Sequence, residues 1–204
     1  VGYEALSTED RDGGGSTAIG YQALTTQNAG ATAYNTAVGW NAGLSITTGI
    51  YNTFLGGDAG KLLTDADFNV AVGTFALDKD ELGSKSTALG YAALSTQDFT
   101  TATDSFNTAV GFEAGVSVTT GVKNTLIGTT SGTSLTDADL NTAVGFDALA
   151  SDTLGSRSVA IGKSTLNAQN FTTATQTYNT AVGYHAGLAV TTGLKNTLIG
   201  SLAG

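Results

Sequence analysis

The chain has 204 residues, 28 of them Gly, with no Pro, Cys or Met and a formal net charge of −9. Charged residues make up 12%, against about 25% in ordinary globular domains, yet 41% of residues are hydrophobic, too many for a disordered chain. The acidic balance argues against a nucleic-acid partner, the absence of Cys removes disulfides and thiolate metal sites, and no apolar run reaches the roughly 18 residues that membrane insertion needs.

Internal repeats decide the architecture. A five-residue cassette, Asn/Ser–Thr/Val–x–Val/Ile/Leu–Gly, ends in chain order at Gly20, Gly39, Gly56, Gly73, Gly90, Gly111, Gly128, Gly145, Gly162, Gly183 and Gly200. Val1-Gly2 is the tail of one more copy. Most copies lie 17 residues apart, and two intervals are 21. Residues 39–110 and 111–182 align without gaps over 72 positions with 40 identities, so the higher unit has four coils of 17, 17, 17 and 21 residues. Residues 1–204 read as a single tandem-repeat segment, and the repeats running into both termini make a fragment of a longer polypeptide the expectation.

Within one coil, Asn35-Thr36-Ala37-Val38-Gly39 alternates in character as a short strand does, and Gly39 supplies a corner. The rest of the coil carries turn chemistry such as Thr47-Thr48-Gly49 and Leu82-Gly83-Ser84, with no stretch of helical periodicity. A coil this short buries its apolar face only by stacking on its neighbours, at roughly 4.8 Å per rung. The prediction is an all-β parallel β-roll or β-solenoid. Its strand centres are small (Ala37, Ala71, Ala109, Ala143, Ala181), which predicts a thin core and favours trimerisation.

The tracts Asn35-Thr-Ala-Val-Gly-Trp-Asn-Ala-Gly43 and Asn179-Thr-Ala-Val-Gly-Tyr-His-Ala-Gly187, each followed by Thr-Thr-Gly and Asn-Thr-x-Leu/Ile-Gly, resemble repeat arrays of tailed-phage tail fibres found upstream of intramolecular chaperone domains. They are also similar to the β-roll head repeats of trimeric autotransporter adhesins, although the coils here are longer and less uniform. The resemblance implies a left-handed coil, a homotrimer, and a location on a virion or at a cell surface. It further implies a non-enzymatic shaft or receptor-binding role toward a host-surface glycan or protein. A bacterial adhesin is the alternative; a tailspike-like depolymerase and an ice-binding solenoid rank below it.

Four groups of residues are candidates for chemistry. Thr64-Asp65-Ala66-Asp67-Phe68-Asn69 recurs as Thr136-Asp137-Ala138-Asp139-Leu140-Asn141 and matches the first three oxygen positions of a calcium loop without its later Gly and Glu. Turn chemistry is the favoured reading of Asp65, Asp67, Asp137 and Asp139, so no cofactor is expected beyond a weak calcium candidacy. The aromatics after the cassette Gly (Tyr3, Tyr21, Trp40, Tyr91, Phe112, Phe146, Tyr184) suit packing, with sugar stacking as the rival reading. The 21-residue coils carry Phe99 with Phe106, and Phe171 with Tyr178, on a bulge or extra strand flank, as candidate surface or receptor contacts or, equally, as inter-subunit packing. His185, the single histidine, reads as a solvated residue, Asp12-Gly13-Gly14-Gly15 as a turn, and Asp78, Asp80 and Glu81 as a glycosidase pair that the next unit, with Ala150 and Thr153, does not keep. No enzyme is expected.

Overall fold

The computed structural model describes residues 1–9 and 14–204; Asp12 and Gly13 of the Gly-rich turn lie outside the described residues. Each cassette forms a three-residue strand: β1 (Thr17–Ile19), β2 (Thr36–Val38), β3 (Thr53–Leu55), β4 (Val70–Val72), β6 (Thr87–Leu89), β8 (Thr108–Val110), β9 (Thr125–Ile127), β10 (Thr142–Val144), β12 (Val159–Ile161), β14 (Thr180–Val182) and β15 (Thr197–Ile199). These stack in sequence order as one 11-stranded sheet. Every pairing is parallel and in register, as in Ala37 opposite Phe54 and Phe54 opposite Ala71. Among the described residues there is no helix. The chain is a parallel β-solenoid of about 11 turns with about 17 residues per coil.

The 21-residue coils resolve into an added strand flank. Two-residue β7 (Thr103–Asp104) pairs with β5 (Gly83–Ser84), and β13 (Thr175–Gln176) pairs with β11 (Gly155–Ser156). Each four-coil unit therefore carries one short second sheet on the wall away from the main one.

The cassette glycines hold the corner for two reasons. Gly39 has φ of 143°, and a Cβ there would sit 2.4 Å from the Gly56 carbonyl oxygen of the next rung. Two rungs cannot approach to sheet distance at this column with any side chain present.

The core is filled by alternation rather than by the strand alone. The middle residue of the strands points inward and is fully buried, for example Ala37, Phe54, Ala71, Leu126 and Ala143. In the coils of Ala71, Ala88, Ala143 and Ala160, a Leu four positions past the cassette Gly fills the space: Leu77, Leu94, Leu149 and Leu166 are all 0% exposed. In the coils of Ala37 and Ala109 that position is Gly43 or Gly115, and Phe54 or Leu126 of the next rung reaches in. Where it is Phe54 or Leu126, that position is Gly, as at Gly60 and Gly132. Ile46, Leu63, Val118 and Leu135 complete the far wall. The expectation of a thin core is thereby corrected, because the volume missing from the strand is supplied by the turn. A trimer is not needed to close this core.

This complementarity predicts the outcome of Gly60→Ala. The backbone at Gly60 has φ of 58° and the added Cβ would meet Phe54 Cε1 at 2.3 Å. Overpacking of this kind typically costs about 1–3 kcal/mol. Thermal unfolding should show that loss, and Phe54→Ala combined with Gly60→Ala should cost less than the sum of the two single changes.

Candidate functional site

A buried column of amides runs beside the main sheet. The cassette Asn side chains point inward and are almost entirely buried, among them Asn35, Asn52, Asn69, Asn107, Asn124 and Asn141. Asn35 Oδ1 accepts the Asn52 backbone N–H at 2.8 Å, and Asn52 Oδ1 accepts the Asn69 N–H at 2.9 Å. Each Nδ2 crosses the coil to the opposite wall, as Asn52 does to the Ala66 carbonyl at 2.7 Å. One side chain thus ties its rung to the next and the strand to the far turn. A buried amide without such partners would cost about 1–3 kcal/mol.

The ladder changes at each 21-residue coil, where Ser86 and Ser158 replace Asn. There Gln97 Nε2 donates to Asp80 Oδ2 at 2.5 Å and to Ser86 Oγ at 2.9 Å, while Gln97 Oε1 accepts from Asn107 Nδ2 at 2.8 Å. Asp80 Oδ1 accepts the N–H groups of Gly83 and Phe99, both at 3.0 Å. The second unit repeats the cluster with Asp152, Gln169, Ser158 and Asn179. Gln27 with Glu9 and Ser16 forms a related cluster near the start of the chain. Sequence reading missed this. The signal that finds it is the recurrence of Asp80 and Gln97 as Asp152 and Gln169 at the 72-residue period.

Asp80 is therefore a strut inside the coil, fully shielded from solvent, and takes no part in a surface carboxylate pair with Asp78 or Glu81. Burial pushes its carboxyl above the ordinary carboxylate range, against hydrogen bonds from Gln97, Phe99 and Gly83 that favour the charged form. Burial likewise raises the carboxyl of half-buried Asp78.

The Asp-x-Asp turns stitch rungs together. Asp65 accepts from Thr48 Oγ1 at 2.5 Å and Asp67 from the Ile50 N–H at 2.8 Å; Asp137 and Asp139 accept from Thr120 Oγ1 at 2.7 Å and the Val122 N–H at 2.8 Å. Among the described residues no three His, Cys, Asp or Glu side chains gather as a metal-holding group.

The aromatics after the cassette Gly form short surface stacks along the axis. Tyr3 and Tyr21 lie 5.3 Å apart, Tyr21 and Trp40 4.2 Å, and Tyr91 and Phe112 5.2 Å, all near parallel. Each stacked ring gives at least one face to its neighbour, which suits packing, whereas Trp40 is followed in the column by Gly57 and Phe112 by Thr129, so their outer faces carry no ring. His185 is half-buried with its ring 3.8 Å from that of Tyr184, not freely solvated as expected.

A second column lies just before the cassette Asn, at Tyr34, Tyr51, Phe68, Lys85, Phe106, Lys123, Leu140, Arg157, Tyr178 and Lys195, all in the left-handed region. It holds four of the eight Lys and Arg residues of the chain. Phe106 and Tyr178 are about half exposed here, beneath Lys85 and Arg157 at 5.3 Å and 5.7 Å. Phe99 and Phe171, by contrast, are 6% and 7% exposed. Their rings turn inward over the buried Asp–Gln cluster, which corrects the expectation that they contact a receptor.

Comparison with protein-family models, with curated proteins and with solved structures gives no match to this chain.

The Asp80 cluster yields a pH-dependent prediction. The folded pKa lies above the unfolded one, so the native state holds the extra proton, and this group's contribution weakens as pH rises through the raised value. Asp80→Asn removes that dependence and sets an amide N–H against the Gln97 amide or the two backbone donors, at a cost of about 1–3 kcal/mol. Melting followed by circular dichroism from pH 7 downward should show the wild-type advantage widening with acid. A constant gap would refute the assignment of the titrating group.

Proposed function

We propose that the chain is a non-enzymatic segment of the shaft and receptor-binding fibre of a tailed phage, assembled as a homotrimer of left-handed coils and serving attachment to the host surface. The observation that carries this reading is the outer face of the main sheet. The third strand residue points outward at every rung and is aliphatic at every rung, from Ile19, Val38 and Leu55 through to Ile161, Val182 and Ile199. Ile19, Leu55, Leu89 and Ile127 remain 38–48% exposed.

Eleven rungs make this stripe about 50 Å long. Soluble monomers rarely leave a continuous apolar surface of that extent open. Covering it with two further copies removes it from water, and the straight, in-register rungs of one copy present the same periodicity to the next. The repeat resemblance to phage fibres and trimeric adhesins supports the same arrangement. A buried, cross-braced core gives the mechanical stiffness a shaft requires.

The same face favours one competing reading. The first strand residue also points outward and is Thr at nine of the eleven rungs, with Val70 and Val159 as exceptions, a more continuous Thr column than sequence spacing suggested. A flat Thr and aliphatic face on a monomer is the arrangement an ice-binding solenoid would need.

Light scattering separates the two. The segment should run at three times its 20.4 kDa chain mass, and Ile127→Asp with Ile161→Asp should dissociate it while leaving the β circular dichroism intact. A stable wild-type monomer would overturn the fibre reading, and thermal hysteresis in that monomer would favour ice binding.

A further inference from the structure

The two four-coil units are close copies, but they differ at one place on the second, shorter sheet. In the first unit Lys85 Nζ lies 2.5 Å from Asp104 Oδ2, an ion pair that spans the groove between two neighbouring rungs, from the residue after β5 to β7. In the second unit the counterparts are Arg157 and Gln176, which cannot form an ion pair. Here the groove stands open as a cavity of about 270 Å³, lined by Asp137, Asp139, Ser156, Arg157, Thr175 and Gln176.

The hydrogen-bonding capacity facing this cavity is unspent. Asp137 and Asp139 each use one carboxylate oxygen on the preceding rung, through Thr120 Oγ1 and the Val122 N–H. The other oxygen of each has no protein donor among the described residues. Gln176 Oε1 accepts from Tyr178 Oη at 2.6 Å, which fixes the amide, and its NH₂ group has no protein acceptor among the described residues. The Arg157 guanidinium has no carboxylate partner among the described residues and packs 5.7 Å from the Tyr178 ring centroid. Two residues with an acceptor to spare and two with donors to spare therefore line one small space.

We propose that this cavity is a binding site for a single neutral, hydroxyl-rich ring, a sugar residue of a host-surface glycan; the proposal rests on the receptor-binding reading above. Vicinal hydroxyls both donate and accept, so they satisfy two carboxylate oxygens, a guanidinium and an amide NH₂ together, with no net charge demanded of the ligand. The guanidinium opposes a cation in the same space, and the two carboxylates oppose an anion. The cavity falls just under the roughly 300–1,000 Å³ of sites for drug-sized ligands, which limits its occupant to about one ring. The first unit, with its groove bridged by Lys85 and Asp104, does not bind.

The two units supply their own controls. Gln176→Asp restores a carboxylate opposite Arg157 and closes the groove as in the first unit. Asp104→Gln with Phe106→Tyr removes the ion pair from the first unit, supplies the hydroxyl that fixes the amide, and opens a second site. Saturation-transfer NMR of the full chain against glucose, galactose, mannose and N-acetylglucosamine should detect binding of at least one. Gln176→Asp should weaken it tenfold or more, and Asp104→Gln with Phe106→Tyr should raise the number of sites per chain, both with unchanged melting and circular dichroism. No transfer to any sugar, or equal binding by Gln176→Asp, would overturn the site. Adsorption to a panel of bacterial cells separates this failure from that of the wider reading. Equal adsorption by wild type and Gln176→Asp overturns the pocket alone, whereas a wild-type trimer that adsorbs to no cell overturns the receptor-binding role.

Discussion

Everything in this fold depends on holding successive rungs in one register, and the buried Asn column is what does so. A stack of three-residue strands has few backbone hydrogen bonds per rung, and a slip of one residue would turn its inward Ala or Phe to solvent. The Asn side chain removes that freedom. Its oxygen is reserved for the N–H of the equivalent Asn on the next rung and its nitrogen for the far wall of its own coil, as in Asn35 with Asn52 and Gly49. Misregister strands both groups in an apolar interior. The cost is local and repeated, so specificity grows with each added coil.

The glycine corner and the Leu–Gly alternation follow from that fixed register. Only when each rung sits directly over the last do Gly39 and Gly56 meet backbone to backbone, and only then can Phe54 project into the space that Gly43 and Gly60 leave open. The longer coils are the one place where the period breaks, and there the Asn is replaced by a distributed cluster. Gln97 spans from Asp80 to Asn107 across the added residues, passing the ladder over the insertion. That Asp80 and Asp152, rather than neutral residues, accept the two backbone N–H groups reflects the directionality of the cluster: every neighbour is a donor, so the group at its centre has to accept on all sides.

The architecture was legible in the sequence because the repeat is exact enough to reveal its period, and the period alone requires stacking. The insertion of the 21-residue coils was legible for the same reason, but not whether it forms a bulge or the strand flank that the structure has. What was not legible was the source of core volume. Reading down the cassette finds small residues at Ala71, Ala88 and Ala143, and the compensating Leu77, Leu94 and Leu149 belong to a turn whose left-handed backbone aims them inward, a direction no strand or helix pattern implies. Phe99 and Phe171 were misjudged for a related reason: an aromatic beside an insertion reads as exposed until the buried carboxylate beneath it is known. The direct ladder roles of Asp67 and Asp139 were half visible, since turn chemistry was expected but not the rung-to-rung partner.

The closed core changes the grounds on which an assembly is argued. A thin roll would need partners to complete its core; this core is filled by residues of one chain. Its case for partners lies outside, in an aliphatic column that every cassette repeats although the buried strand centre varies between Ala, Leu and Phe. The third strand position faces outward, where a lone solenoid could accept any polar residue, yet it is confined to Val, Ile and Leu across all eleven rungs. The first position, on the same face, stays Thr or Val. Two neighbouring columns, one aliphatic throughout and one of small β-branched residues, make a flat, dry strip beside the aromatic stacks. Such a strip fits a surface with the same axial repeat, and a second copy of this chain is the simplest body that has one.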